Sequence, residues 1–129
     1  MREHMPIASG KWCGFYVYEF PRLDDHRHRM DMGLEIQGGK IYGEGVDDVG
    51  RYTIDGTYDE ETLDFSWRKA YVGRHVVFYQ GGWAQGSIVG RWEIRFAWVR
   101  STGGFRIWPE GSMPEDDPEI PRELLGGTI

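Results

Sequence analysis

The clearest pattern in the chain is the alternation of apolar and polar residues over Arg29–Gln37. Met30, Met32, Leu34 and Ile36 share one face, and Arg29, Asp31, Glu35 and Gln37 the other. A period of two marks a strand with one buried side. The pattern recurs. Arg51–Tyr58 sets Tyr52, Ile54 and Tyr58 against Arg51, Thr53 and Asp55. Thr62–Val72 sets Leu63, Phe65, Trp67, Lys69 and Tyr71 against Asp64, Ser66 and Arg68. Ser87–Val99 sets Ile88, Trp92, Ile94 and Phe96 against Arg91, Glu93 and Arg95. Further strands are predicted at Gly10–Phe20, Lys40–Val46, His75–Gln80 and Phe105–Trp108. Gly10–Phe20 is apolar on both faces, with Trp12, Tyr16 and Tyr18 on one and Cys13, Phe15 and Val17 on the other. Its outer face therefore needs a cover, from the tail or from another subunit.

The punctuation between these runs is that of tight turns. Gly38-Gly39, Asp47-Asp48-Val49-Gly50, Asp59-Glu60-Glu61 and Ser101-Thr102-Gly103-Gly104 each supply the glycine or aspartate that a turn uses. Pro21–His28 reads as a polar loop and Gln80–Gly86 as a longer connection. Gly73-Arg74 fits a two-residue type II′ turn, which takes glycine first. That turn pairs Val72 with His75. It sends His75, Val77 and Tyr79 to the face opposite Lys69 and Tyr71, so that Val77 and Tyr79 join Phe15 and Val17 in an apolar outer patch. A three-residue turn would pair Tyr71 with His75 and gather all of them on one face. Eight strands with short links predict an all-β fold, a single eight-stranded antiparallel up-and-down barrel. Closure removes the exposed edges. A two-sheet sandwich is the alternative.

Composition sharpens this picture. Among 129 residues there are 19 glycines, and 15% are aromatic, as short strands and tight turns require. Residues 1–9 read as a flexible leader, 10–108 as the barrel and 109–129 as a proline-rich acidic tail. The formal charge of −6 is concentrated in that tail, which carries Glu110, Glu115, Asp116, Asp117, Glu119 and Glu123 against Arg122 alone. The rest is near neutral and has no basic stripe, which argues against a nucleic-acid partner. No stretch has the apolar length of a membrane span or a signal peptide, so the sequence predicts a cytoplasmic protein that does not enter membranes. Cys13 is the sole cysteine and lies in an apolar run, as a buried structural thiol does.

Several motifs resemble a known family. Gly10-Lys11-Trp12 resembles the G-x-W that opens calycin barrels, the lipocalin and avidin group. Gly43-x-Gly45-x-Asp47-x-x-Gly50-x-Tyr52-x-Ile54-x-Gly56 and Lys69-x-Tyr71-x-Gly73-x-His75-x-Val77-x-Tyr79-x-Gly81 are more distinctive. With Ile88-x-Gly90-x-Trp92 and Gly104-Phe105-x-Ile107, they resemble calycin-type domains of the avidin-like or lipocalin-like kind over residues 10–108. The resemblance implies a barrel that can hold a small ligand. It does not extend to biotin: Gly14 stands where avidins carry an asparagine, and no Gly-Ser follows. The late threonine-aspartate-tyrosine motif of lipocalins is also missing.

The presumed inner face points to binding more than to catalysis. Tyr16, Tyr52, Trp67, Lys69, Tyr71 and Trp92 are the candidate ligand-binding residues, large rings with hydroxyl or indole handles around one amine. The same residues suit a filled core. Lys69 could meet a ligand carboxylate or act as an amine nucleophile; the commoner course for such a lysine is to reach water at the barrel mouth. Asp24, His26 and His28 alternate as metal ligands can, yet a solvated loop explains them equally, and Asp47-Asp48 serves its turn without calcium. No metal or cofactor is predicted. The expectation is a non-enzymatic protein that binds a small, partly apolar molecule inside the barrel and forms a homodimer or larger homo-oligomer. The alternative is an interaction module with a filled core that uses its outer face and tail.

Overall fold

The computed structural model describes residues 7–96 and 98–112. Its eight strands are β1 (Gly10–Phe20), β2 (Asp24–Gln37), β3 (Lys40–Asp47), β4 (Arg51–Tyr58), β5 (Asp64–Tyr71), β6 (Val76–Ala84), β7 (Ser87–Phe96) and β8 (Val99–Pro109). Each pairs antiparallel with the next, and β8 returns to β1 to close the barrel. Among the described residues no sheet edge is left to template another chain. The predicted fold class is the observed one. Because the strands alternate up and down, the turns after β1, β3, β5 and β7 gather at one end, the mouth. Those after β2, β4 and β6 gather at the base.

The alternating residues of each strand fill the interior. Trp67 stacks on Tyr79, with centroids 5.3 Å apart and planes 9° apart, and Phe105 meets both rings edge-on. Rings of this size fit a narrow barrel only where the neighbouring strands withdraw. Glycines at inward positions make that room. A Cβ on Gly103 would stand 2.6 Å from the Trp92 ring, and one on Gly56 would stand 2.5 Å from Cβ of Trp67. The base is closed by residues ahead of β1: Ile7 is buried in the core, Ala8 C=O accepts from Trp12 Nε1 at 2.9 Å, and Ser9 Oγ accepts from Ile36 N–H at 2.8 Å. Part of the segment read as a leader thus packs on the barrel.

Several boundaries depart from the pattern reading. β6 runs to Ala84, through most of the presumed connection Gln80–Gly86. β2 begins at Asp24, so the presumed loop residues Asp24–His28 are strand, paired with Tyr16 and Tyr18 of β1. β3 runs on to Asp47, which faces Met30 across the ladder. β8 begins at Val99, and Gly103-Gly104, read as a turn, lies within it opposite Trp92 and Arg91. Glycine here signals close approach rather than a bend. The β5–β6 hairpin also differs. Tyr71 N–H donates to His75 C=O at 3.1 Å and Arg74 N–H to Tyr71 C=O at 2.9 Å, so the loop has three residues, Val72 to Arg74. Gly73, with φ +70°, is the third residue of a four-residue turn, the place where a type II turn needs glycine. Reading it as the first residue of a II′ turn slips the register by one. Val77 and Tyr79 therefore face inward, not into an outer patch.

Filling by glycine against ring predicts a selective cost. Gly103→Ala should lose about 1–3 kcal/mol of stability as overpacking. Gly33→Ala, where a Cβ would meet nothing within 4 Å, should stay within about 0.5 kcal/mol of the parent. Urea unfolding of the two variants checks this, and equal midpoints would contradict it.

Candidate functional site

The inward parity of β3 and β5 brings an acid and a base together beneath the mouth. On β3, Ile41, Gly43, Gly45 and Asp47 point inward; on β5, Phe65, Trp67, Lys69 and Tyr71 do. Lys69 Nζ lies 2.5 Å from Asp47 Oδ2, and the two side chains are 1% and 0% exposed. The ammonium has three protons and three acceptors: Asp47, Tyr79 Oη at 3.2 Å and Met30 Sδ at 3.3 Å. Around it stand the rings of Tyr52, Tyr71, Tyr16 and Tyr79, with centroids 4.3, 4.9, 5.1 and 5.4 Å from Nζ. Asp47 is equally satisfied. Tyr71 Oη donates to Oδ2 at 2.5 Å, and Oδ1 accepts Val49 N–H at 2.9 Å. Asp47 thus shapes its turn, as the sequence suggests, and also neutralises the buried ammonium. Lys69 does not reach water.

Beside this core, Asp48 ties the mouth together. It accepts from Tyr16 Oη at 2.6 Å and pairs with His28 Nδ1 at 2.6 Å. The His28 ring stacks on Tyr16 with centroids 4.7 Å apart. His28 Nε2 is shut off from solvent and has no hydrogen-bond partner among the described residues. The pair of histidines suggested by the sequence forms no metal centre: no cluster of three or more potential ligands occurs among the described residues.

Titration follows from this burial. Burial pushes the Lys69 ammonium below its ordinary range, against the opposing pull of Asp47. Burial likewise raises the hydroxyls of Tyr16, Tyr52, Tyr71 and Tyr79. The hydrogen bonds to Asp48 and Asp47 add to this for Tyr16 and Tyr71. Burial alone would raise the Asp48 carboxyl, but the bonds from Tyr16 and His28 outweigh it and hold it low.

All six candidate ligand-binding residues face inward and are buried: Tyr16, Tyr52, Trp67, Lys69, Tyr71 and Trp92. They touch one another more than they enclose space. A void of about 10 Å³ lies between Lys69, Trp67, Tyr52 and the β2 methionines, at the lower limit of room for one water, roughly 10–15 Å³. A void of about 60 Å³ opens at the mouth between Tyr16, Tyr18, Val49, Tyr71, His75, Val77, Tyr79, Trp92 and Ile94. The corrected hairpin register is what brings His75, Val77 and Tyr79 there, with the His75 ring 5.0 Å from that of Tyr71. A broader concavity of about 620 Å³ runs along the outer wall between Arg68, Phe78, Gln80 and Glu93. Within it Glu93 takes Arg100 at 2.8 Å, and Arg95 beside the concavity at 3.1 Å, as on an ordinary sheet exterior.

Pattern reading missed Asp47, Asp48, His28 and Tyr79 as members of this cluster. For Asp47 a signal existed, since it continues the parity of Ile41, Gly43 and Gly45. For Tyr79 there was none, because one turn residue decides its face.

Two outcomes follow. Lys69→Met and Asp47→Asn should each lose about 3–5 kcal/mol, because each strands one buried partner. The double variant should lose less than their sum in urea unfolding; additive losses would refute the pair. At alkaline pH the four buried tyrosines keep protons that the unfolded chain releases near pH 10, so stability falls as pH rises above about 10. Lys69, depressed in the fold, acts with the opposite sign below about pH 10.4, but it is one group against four. Cooperative alkaline unfolding is expected, with most tyrosinate absorbance rising in step with loss of circular dichroism. Titration of these tyrosines near pH 10 in the folded state would refute it. In comparisons with protein-family models, curated proteins and solved structures, nothing matches the chain.

Proposed function

We propose that this barrel, which we read as calycin-type, is a non-enzymatic binding protein that takes a small, partly apolar ligand at its mouth. The observation that carries the reading is a coincidence at one end of the barrel. The larger interior void, the hydroxyls of Tyr16, Tyr18 and Tyr71, and the imidazole of His75 all lie there. So do four exposed apolar side chains on the turns: Phe20, Leu23, Val72 and Trp98, between 51% and 93% exposed. Isolated exposed apolar residues are ordinary, but a group around an opening marks a contact surface. The void of about 60 Å³ is far below the roughly 300–1,000 Å³ of pockets that enclose a whole drug-sized molecule. Only a short polar head group enters; the apolar body rests on the rim. Lys69 closes the floor and meets its own carboxylate, Asp47, instead of a ligand's.

A second reading, an interaction module with a filled core, is favoured by the stacking of Trp67, Tyr79 and Phe105 through the middle of the barrel. There the rim would join two copies of the chain.

A thermal-shift series with butanol, butylamine and butyrate separates the two. The ligand reading expects saturable stabilisation by one head group, lost in His75→Trp, which blocks the void from its exposed side. The module reading expects no response to the series and a smaller particle by light scattering in Leu23→Ser, Trp98→Ser. A silent series together with a monomeric parent would refute both.

A further inference from the structure

The two ends of the barrel differ in chemistry. At the mouth, every turn sets an exposed apolar side chain beside an exposed arginine. Phe20 and Leu23 flank Arg22, Val72 lies beside Arg74, and Trp98 beside Arg100. At the foot of the remaining turn, exposed Val46 pairs with exposed Arg51 across the β3–β4 ladder. The three turns at the base carry no exposed large apolar side chain. Their exposed charges are Lys40 against Asp59, Glu60, Glu61 and Asp64. Three acids near the mouth are already engaged. Asp48 holds Tyr16 and His28, Glu93 holds Arg95 and Arg100, and Asp24 accepts His26 N–H at 3.0 Å.

We propose that the mouth is a docking surface for an anionic lipid bilayer, on which the barrel rests by its turn tips. Seating on a surface needs only side chains at the tips, not the apolar length of a span. One plane laid across the end of a barrel meets all its turns there. A bilayer is such a plane and demands no complementary shape. Apolar tips enter the boundary between head groups and acyl chains. An indole such as that of Trp98 suits this layer, with its ring on the apolar side and its N–H on the wet one. The neighbouring arginines reach the lipid phosphates, and anionic head groups attract them further. The polar, acidic base is repelled by the same surface, so the charge along the barrel selects the end that docks. A second copy of the chain suits the mouth less well, because mouth to mouth it sets arginines against arginines. Docking of this kind goes beyond ligand binding and does not depend on it, since it uses the tips and not the void.

The test is flotation of the full chain with vesicles. Vesicles of phosphatidylserine and phosphatidylcholine in equal parts should carry the chain at low salt and release it at high salt. Phosphatidylcholine alone should bind it at least about tenfold more weakly. Two double variants, Arg22→Glu, Arg74→Glu and Leu23→Ser, Trp98→Ser, should each weaken binding to the anionic vesicles at least about tenfold and keep the circular dichroism of the parent. Lys40→Glu at the base should leave binding unchanged; a loss as large as that of the rim variants would overturn the proposal. So would a parent that no vesicle carries, or equal flotation of the parent and the folded rim variants. Binding to polyglutamate but not to vesicles would assign the surface to an acidic protein and overturn it too. A dimeric parent that ignores vesicles, made monomeric by the rim substitutions, would assign the surface to a second copy with the same result. Should a rim variant not fold, the lipid and salt dependence of the parent decides alone. The vesicles hold none of the butyl compounds of the thermal-shift series, so failure here leaves the ligand reading standing, and a silent series leaves docking standing.

Discussion

A closed barrel of eight strands has an interior just wide enough to be filled by side chains, and that constraint governs the rest of this molecule. Trp12, Trp67, Trp92, Tyr79 and Phe105 are all within 4% of complete burial. They fit because Gly14, Gly56, Gly81, Gly90 and Gly103 share the inner face with them. Each glycine lets a neighbouring backbone or ring advance into the place a Cβ would take. The filled middle leaves free volume chiefly at the mouth, and the chemistry of the barrel gathers there.

The Lys69–Asp47 pair is the polar counterpart of this packing. An ammonium taken out of water costs several kcal/mol unless it is paired and hydrogen-bonded. Here every proton has an acceptor and four tyrosine rings turn their electron-rich faces towards the charge. The pair also ties β3 to β5 across β4, so the Asp47–Gly50 turn is held from inside as well as by its own hydrogen bonds. A cluster so fully satisfied holds the mouth residues Tyr16, Tyr71 and Tyr79 in place. The amine of Lys69 is itself sealed beneath the surface this cluster supports.

Much of this was legible in the chain. Alternation identified eight strands, and it placed Tyr16, Tyr52, Trp67, Lys69, Tyr71 and Trp92 on the inner face, because side-chain period is a local property of extended backbone. The two-sided apolar character of β1 announced a covered outer wall, and Cys13, Phe15 and Val17 are indeed buried there. Of the two covers the sequence offers, the tail from residue 113 onward lies outside the described residues. Glycine misled at Gly103-Gly104, where close packing against Trp92 looks the same in sequence as a turn.

The fold class, the direction of most side chains and the sign of the charge in each region could be read along the chain. These depend on neighbours one or two residues away. Tertiary structure alone decided the register of the β5–β6 hairpin and the partner of Lys69. A glycine with positive φ fits the second central position of one turn as well as the first of another, and only the pairing of the flanking strands chooses. That choice turned Val77 and Tyr79 inward and brought His75 to the mouth. Asp47 and Lys69, on strands separated by β4, meet because the barrel closes around them; no local spacing encodes a contact made across its interior.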